Sequence, residues 1–182
     1  MIDWRNYLEE ELDMHNSHQS FASRQRLLDY DGDASNQVIW FTDGGAFDQT
    51  PMALEVIDDW MANIAANPHK SVHENKPAAA VDTCFDTAGN EIYAGDDAWA
   101  GILDDEPFGP CTIAQPIYAT SRIVAGGPIT GDVFKCHLMS IDDAIAAGVY
   151  GGVSFSPAQR AALHAIFPSG VCDYSKGDAR RP

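Results

Sequence analysis

The spacing of apolar residues predicts a helix, a buried strand and a second helix in the first half of the chain. Residues 17–30 place polar starters ahead of apolar positions and precede an Asp-Gly-Asp turn, which is typical of a short helix. Residues 37–42 form a nearly continuous apolar and β-branched run, as in a strand that is covered on both faces of a parallel sheet. Thr50 and Pro51 then begin a helix whose apolar residues recur every three or four positions as far as Asn67. This alternation of helix and strand predicts an α/β fold.

The pattern changes after residue 75, where short strands and long loops replace the longer helices. Strand-like segments are expected at residues 80–85, 91–94 and 132–138. Ser140 and Ser156 each cap a short helix, the second through a capping box with Gln159. We therefore predict two parts. Residues 1–75 carry a strand and helices of the sheet, and residues 76–182 form a cysteine-containing extension with short strands and two short helices.

Composition and charge exclude some classes of partner. Hydrophobic residues make up 45% of the 182 residues, which is enough for a sizeable core. The formal net charge is -16 and only 11 residues are Lys or Arg, whereas binding to nucleic acid draws on clustered basic side chains. No segment has the about 18 apolar residues that a membrane span needs. We therefore expect a soluble, acidic protein with no nucleic acid and no membrane as its partner.

The cysteines bear on the compartment in which the chain folds. There are four of them, Cys84, Cys111, Cys136 and Cys172. They are widely spaced and contain no Cys-x-x-Cys pair of the zinc or thioredoxin type. We expect two disulfides; the three ways of pairing them stay open, and four buried free thiols are the alternative. From the disulfides we expect a secreted or periplasmic protein. The amino terminus has no signal-peptide pattern, so any export signal is expected outside these residues.

A polar loop before the first predicted helix holds the residues that are best suited to chemistry. It runs from Glu9 to His18 and combines several carboxylates with two histidines. Loops at strand ends are where α/β folds keep their active sites, and a carboxylate beside an imidazole orients it as a general base. Asp13, His15 and His18 are therefore the candidate catalytic residues. The alternatives are that Asp13 caps a helix beside solvated histidines, or that His15 and His18 bind zinc; we predict neither a metal nor a cofactor.

No nucleophile motif accompanies these candidates. A Gly-x-Ser-x-Gly elbow places the serine of an α/β-hydrolase at the top of its sheet, and this motif does not occur in the 182 residues. If the chain is complete, we expect that it is not a serine hydrolase by itself.

Several phrases of the sequence resemble those of one protein family. In the first half they are Ile2-Asp3-Trp4-Arg5-Asn6-Tyr7, Asp13-Met14-His15, Arg24-x-Arg26-Leu27 and Asn36-Gln37-Val38-Ile39-Trp40. In the second half the most specific are Ala80-Val81-Asp82-Thr83-Cys84, Gly109-Pro110-Cys111-Thr112, Phe134-Lys135-Cys136 and Gly170-Val171-Cys172-Asp173-Tyr174. Over nearly all of its length the chain is similar to the late part of a family of large secreted bacterial proteins of uncharacterised function, which resembles tannases and feruloyl esterases.

The resemblance implies the carboxy-terminal part of an α/β-hydrolase-like sheet, a late strand with its helices, followed by a loop-rich, disulfide-tied tail. It also implies a chain several times longer, in which an upstream glycine-flanked serine is the nucleophile. In the esterase relatives the base histidine follows the last strand in a glycine-rich turn, but the turn at residues 42–47 here contains no histidine. His15 or His18 would then be the substitute base, with Asp13 as the acid or orienter.

Two functions follow as expectations. The first is the carboxy-terminal segment of a secreted ester hydrolase, which acts on a small-molecule or polymeric ester as part of a longer chain. The second is a non-catalytic module, or a truncated open reading frame without activity of its own. The second function predicts an incomplete fold, with an open sheet edge and an uncovered apolar face around Trp40, Ile57 and Trp60.

Overall fold

The computed structural model describes residues 1–11, 16–104 and 106–180, which form a mixed α/β structure. The strands are β1 Ile2–Tyr7, β2 Val38–Asp43, β3 Thr83–Phe85, β4 Glu91–Ala94, β5 Cys136–Met139 and β6 Val171–Asp178. The helices are α1 His18–Asp31, α2 Thr50–Ala66, α3 Pro110–Ala114, α4 Ser121–Val124, α5 Ile141–Ala146 and α6 Pro157–Ile166. The chain divides into two compact units, Met1–Tyr118 and Ala119–Pro182.

The first unit contains a four-stranded mixed sheet in the order β1-β2-β3-β4. β2 pairs in parallel with β1 on one side and with β3 on the other, so that Trp40 lies opposite Trp4 and Thr83. β4 runs antiparallel to β3 and follows it through the turn at residues 86–90. Three strands therefore point the same way, and their carboxyl ends meet at one edge of the sheet.

The side chains of β2 point alternately to the two faces of the sheet, and both faces are covered. Val38 and Trp40 pack on one face in a cluster with Ala53, Val56, Trp60, Ala80 and Phe85. Phe41 lies on the other face, where its ring centroid is 5.8 Å from that of Phe21 in α1 and 4.7 Å from that of Trp99. α2 and α1 therefore cover opposite faces of β2, as the nearly continuous apolar run predicts.

The expectation of an uncovered apolar face around Trp40 and Trp60 is wrong. The two indoles are 2% and 1% exposed, because Ala80 and Phe85 from the segment after residue 75 complete the cluster around them. Ile57 is partly buried against the same cluster. The apolar face of α2 is thus satisfied within the first unit.

One ion pair joins α1, β2 and the segment that leads into β3. The Arg24 guanidinium donates to both carboxylate oxygens of Asp82, with Nη1 2.5 Å from Oδ2 and Nη2 2.9 Å from Oδ1. Asp82 Oδ1 also accepts the backbone N–H of Ile39 at 2.8 Å, and Arg24 Nη2 donates to the carbonyl oxygen of Gln37 at 3.3 Å. The two charged side chains are 16% and 10% exposed. Loss of either charge therefore leaves the other desolvated without its partner.

Each unit contains one disulfide. Cys84 in β3 is bonded to Cys111 in α3, with Cα atoms 5.7 Å apart. Cys136 in β5 is bonded to Cys172 in β6, with Cα atoms 5.4 Å apart. The prediction of two disulfides is confirmed, and the structure selects one of the three pairings. Disulfides are typical of proteins that fold in an oxidising compartment.

The second unit is built on the antiparallel pair of β5 and β6. The predicted caps of its two longer helices are confirmed: Ser140 Oγ accepts the N–H of Asp143 at the start of α5, and a capping box between Ser156 and Gln159 begins α6. In the described part of this unit the buried apolar side chains are those of Val133, Ile141 and Ala144. The unit therefore relies on its disulfide and local caps more than on a large core.

Sequence patterns predicted the long elements better than the short ones. α1, β2 and α2 are confirmed, although Gln49 rather than Thr50 occupies the N-cap position of α2. β1 was not predicted, and β3 and β4 from the expected extension join the sheet of β2, so the sheet is larger than one late strand. The predicted domain boundary near residue 75 stays a prediction. None of the helices within the described ranges has the length and apolarity that crossing a membrane requires.

Replacement of Asp82 by Asn removes one charge of the buried pair and leaves the Arg24 guanidinium without its counter-ion. We expect Asp82→Asn to lower the free energy of unfolding by about 3–5 kcal/mol. The control Asp29→Asn makes the same charge change at an exposed position of α1 and should cost less than about 0.5 kcal/mol. All four tryptophans lie in the first unit, so urea unfolding followed by tryptophan fluorescence measures the difference. Equal unfolding midpoints for the two variants would contradict a stabilising role of the pair.

The disulfide pairing predicts two cross-linked peptide pairs in the unreduced protein, one holding Cys84 with Cys111 and the other Cys136 with Cys172. Mass spectrometry of a digest without reductant tests this, and a peptide that links Cys84 to Cys136 would overturn it. The bonds close loops with sequence separations of 27 and 36 residues. The chain-entropy model gives each about 3.5–4 kcal/mol of stabilisation, so reductant should lower the thermal midpoint of both units.

Candidate functional site

The parallel strands bring several loops to one edge of the sheet. β1, β2 and β3 end at Tyr7, Asp43 and Phe85, and their carboxyl ends lie together because the strands are parallel neighbours. α1 and α2 begin at the same edge, since each follows its strand through a loop. We call this region the carboxyl edge; it comprises residues 8–11, 16–20, 43–50 and 86–90. Ligands of open α/β sheets bind at such edges.

Hydrogen bonds connect the loops of the carboxyl edge to one another. The N–H of Gly44 donates to the carbonyl oxygen of Tyr7 at 3.1 Å. The Tyr7 hydroxyl donates to the carbonyl oxygen of Pro116 at 2.8 Å, and Gln115 Nε2 donates to that of Phe85 at 2.9 Å. Burial raises the pKa of Tyr7, so its hydroxyl stays protonated and remains a donor. The segment after α3 is thereby fixed beside the ends of β1 and β3.

Glu9 is a buried carboxylate at the start of α1. It is 5% exposed, and its Oε1 accepts the backbone N–H of Ser17 at 2.5 Å. Ser17 occupies the N-cap position but its own side chain makes no capping hydrogen bond. A carboxylate at this position satisfies an N–H that the helix leaves unpaired and complements the helix dipole. Glu9 therefore brings a negative charge to the amino terminus of α1.

His18 is the first residue of α1 and lies close to this carboxylate. It is 7% exposed. Burial lowers the pKa of His18; the charge of Glu9 opposes this change and that of Arg5 adds to it. The neutral imidazole is therefore the form present at neutral pH, which is the state that a general base requires. Arg5 itself is held by hydrogen bonds to the carbonyl oxygen of Asn16 at 3.2 Å and to Asp3 Oδ1 at 3.3 Å.

The two ring nitrogens of His18 have different surroundings. Nε2 lies 3.0 Å from the side-chain nitrogen of Gln19. When that amide donates, the ring proton is on Nδ1, because a neutral imidazole carries one proton. Nδ1 is buried and has no hydrogen-bond partner in the part of the chain that the structure describes. In that tautomer the basic lone pair is on Nε2, where it accepts the hydrogen bond from the exposed Gln19 side chain.

Buried polar atoms without a hydrogen-bond partner are concentrated near the carboxyl edge. Among the described residues they include the hydroxyls of Ser17 and Ser20 in the first turn of α1, and that of Thr42 near the end of β2. Both side-chain amide atoms of Gln49 at the start of α2, and Oε1 of Gln115, are also buried without a hydrogen-bond partner. Most buried polar groups in proteins are hydrogen-bonded. These atoms are therefore exceptions to that rule.

The structure brings one of the three candidate catalytic residues to the carboxyl edge. His18 lies there, whereas Asp13 and His15 fall outside the described residues, so their roles stay predictions. Sequence reasoning did not single out Glu9 or Arg5. Glu9 could have been found from its place in a carboxylate-rich loop. Arg5 could have been found only from the alternation of polar and apolar residues in β1, which indicates a strand.

The described residues give no support to a metal centre. Within residues 1–11, 16–104 and 106–180, no group of three or more His, Cys, Asp or Glu side chains is arranged to hold a metal ion. The zinc alternative also needs His15, which lies outside these ranges, and it stays untested.

Comparison with known proteins identifies one family. The family model described as "tannase-like family of unknown function (DUF6351)" matches residues 1–181. No curated protein and no solved structure matches the chain. The family match confirms the resemblance that the sequence motifs indicated.

The lowered pKa of His18 predicts how stability depends on pH. Below a pH of about 6.5 the unfolded chain binds a proton at this imidazole while the folded chain does not, so stability is lost as the pH falls from there towards the folded pKa. We expect His18→Gln to reduce the loss of unfolding free energy between pH 7.5 and pH 5.5. His69→Gln, at an exposed histidine, is the control and should leave that loss unchanged. Urea unfolding at the two pH values measures it, and equal losses for both variants would contradict a buried neutral His18.

Proposed function

Because the chain belongs to the tannase-like family of unknown function, we propose that it forms the carboxy-terminal part of an α/β-hydrolase-like ester hydrolase. Its parallel strands would be the late strands of the catalytic sheet, with α1 and α2 on opposite faces. The loop after β1 would supply the acid and the base. The nucleophile would come from chain outside these 182 residues, because they contain no Gly-x-Ser-x-Gly elbow.

The observation that carries this proposal is the place of the loop that contains the acid and base candidates: it follows β1 and leads into α1 at the carboxyl edge, where His18 is buried and neutral beside Glu9. A general base must be unprotonated at the working pH and must lie where substrates bind, which in α/β sheets is this edge. The parallel arrangement of β1, β2 and β3 supports the likeness to a hydrolase sheet.

In the proposed reaction, a histidine of the loop removes the proton of a serine hydroxyl as the serine oxygen attacks the ester carbonyl. The same histidine then gives that proton to the departing alcohol as the ester bond breaks. The serine is then left esterified by the acyl group. Water, activated by the same histidine, attacks this ester, which releases the carboxylic acid and regenerates the serine hydroxyl. His15 is the first choice for this base, with Asp13 as its orienter. His18 is the alternative; the exposed amide of Gln19 at its Nε2 would be displaced by the attacking hydroxyl.

The location of the protein is proposed from its disulfides and its proposed substrate. Two disulfides favour an oxidising compartment, and an ester hydrolase of polymers or plant-type phenolic esters would act outside the cell. We therefore propose a secreted or periplasmic enzyme, with an ester as its substrate and without a cofactor.

The second candidate, a non-catalytic module, predicted an uncovered apolar face, and that face is buried in the structure. This alternative would regain support if the protein, at the length that its source cell produces, showed no esterase activity.

The test is ester hydrolysis by the protein at the length that its source cell produces, with methyl esters of phenolic acids as substrates. We expect His15→Ala or Asp13→Asn to lower kcat by about 10³-fold or more, as in hydrolase triads. His18→Ala should do so instead if His18 is the base. His164→Ala, at an exposed histidine of α6, is the control and should keep full activity.

Full activity in all three loop variants would overturn the assignment of the acid and base to this loop. Hydrolysis by the 182 residues alone, at the rate of the longer protein, would overturn the proposal that the nucleophile lies elsewhere.

A further inference from the structure

The second unit contains an open apolar cleft that the proposed reaction does not use. Its volume is about 400 Å³. Its lining includes Leu138, Val171 and Cys172 of the β5-β6 pair. Leu163 and Phe167 at α6 and Val124 at the end of α4 also line it. Every one of these side chains would be expected in a core, yet Val124, Leu138 and Phe167 are 76%, 54% and 43% exposed.

The cleft is fixed by covalent and backbone constraints. The Cys136–Cys172 disulfide ties together the two strands that line it. Gly170, at φ +93°, lets β6 begin directly against β5, since a Cβ there would lie 2.1 Å from the carbonyl oxygen of Met139. Gly127 leaves room for the Tyr174 ring, which a Cβ would approach to 3.2 Å. The cleft is therefore pre-formed, which reduces the entropy that a ligand must lose on binding.

The chemistry of the lining favours an uncharged ligand. None of the described residues that line the cleft is charged, although charged residues make up 21% of the chain. Two tyrosines, Tyr150 and Tyr174, contribute their rings to the lining. The Tyr150 ring is itself held edge-on by Phe155, with centroids 5.2 Å apart. No hydrogen bond to either tyrosine hydroxyl is formed by the described residues, so both are available to a ligand.

The size of the cleft favours a small molecule. A closed apolar cavity of roughly 150 Å³ accepts one benzene ring, and ligand pockets typically measure about 300–1,000 Å³. A second copy of the chain is disfavoured as the occupant by the net charge of -16.

We propose that this cleft binds an uncharged aromatic molecule of two or three rings that carries a hydroxyl group. The rings contact Leu163, Phe167 and Val171, and the hydroxyl forms a hydrogen bond with Tyr150 or Tyr174. This site is independent of the proposed ester hydrolysis, because its residues all lie in the second unit and include none of the acid or base candidates.

The test is a titration of the 182-residue chain with 2-naphthol, followed through the NMR signals of its leucine and valine methyl groups. We expect saturable shifts at Leu138, Leu163 and Val171. Val124→Asp places a carboxylate in the cleft at an exposed position and should weaken binding at least tenfold. Val153→Asp is the matched control, since Val153 is 58% exposed but does not line the cleft; its affinity should stay within twofold of the wild type.

The anionic analogue 2-naphthoate tests the preference for an uncharged ligand and should bind at least tenfold more weakly than 2-naphthol. Absence of saturable shifts with 2-naphthol, or equal weakening by Val124→Asp and Val153→Asp, would overturn the site. Equal affinity for the two probes would overturn the assignment of an uncharged ligand.

Discussion

The first unit depends on the ion pair between Arg24 in α1 and Asp82 before β3. The Asp82 carboxylate also accepts the backbone N–H of Ile39 in β2. The carbonyl oxygen of Asp82 accepts the N–H of Gly95, which follows β4. Three separate parts of the sheet and one helix are thus positioned by a single acid and its partner. Since the pair is largely desolvated, its geometry is strict, and α1 begins at the carboxyl edge with little freedom to shift.

An element of this fold can be predicted from the sequence when its own residues, rather than distant contacts, determine its structure. β2 is predictable because burial on both faces requires an unbroken apolar run. β1 has one neighbour in the described sheet, so Ile2 and Trp4 alternate with Asp3 and Arg5, a weaker signal in six residues. β3 spans three residues, and its place beside β2 is decided by long-range contacts such as the bond between Trp40 Nε1 and the carbonyl oxygen of Val81.

The candidate site was partly predictable for the same reason. A loop with two histidines and several carboxylates is visible in sequence, and it drew attention to His18. The neutral state of that histidine could not be predicted, because it comes from burial at the first turn of α1. Likewise, a run of three glutamates does not indicate that Glu9 is the one buried against the N–H of Ser17. The cysteine pairing was also beyond sequence, since three connectivities fit equally.

The Cys84–Cys111 disulfide has a consequence for the order of events during folding. Both cysteines are 0% exposed, and Cys84 lies in a strand with neighbours on either side. An oxidant cannot reach these sulfurs once β3 has docked, so the bond must form while that strand is still accessible. In the finished molecule the same burial hides the bond from reductants. Its reduction therefore requires the sheet to open, and the rate of reduction depends on how often that opening occurs.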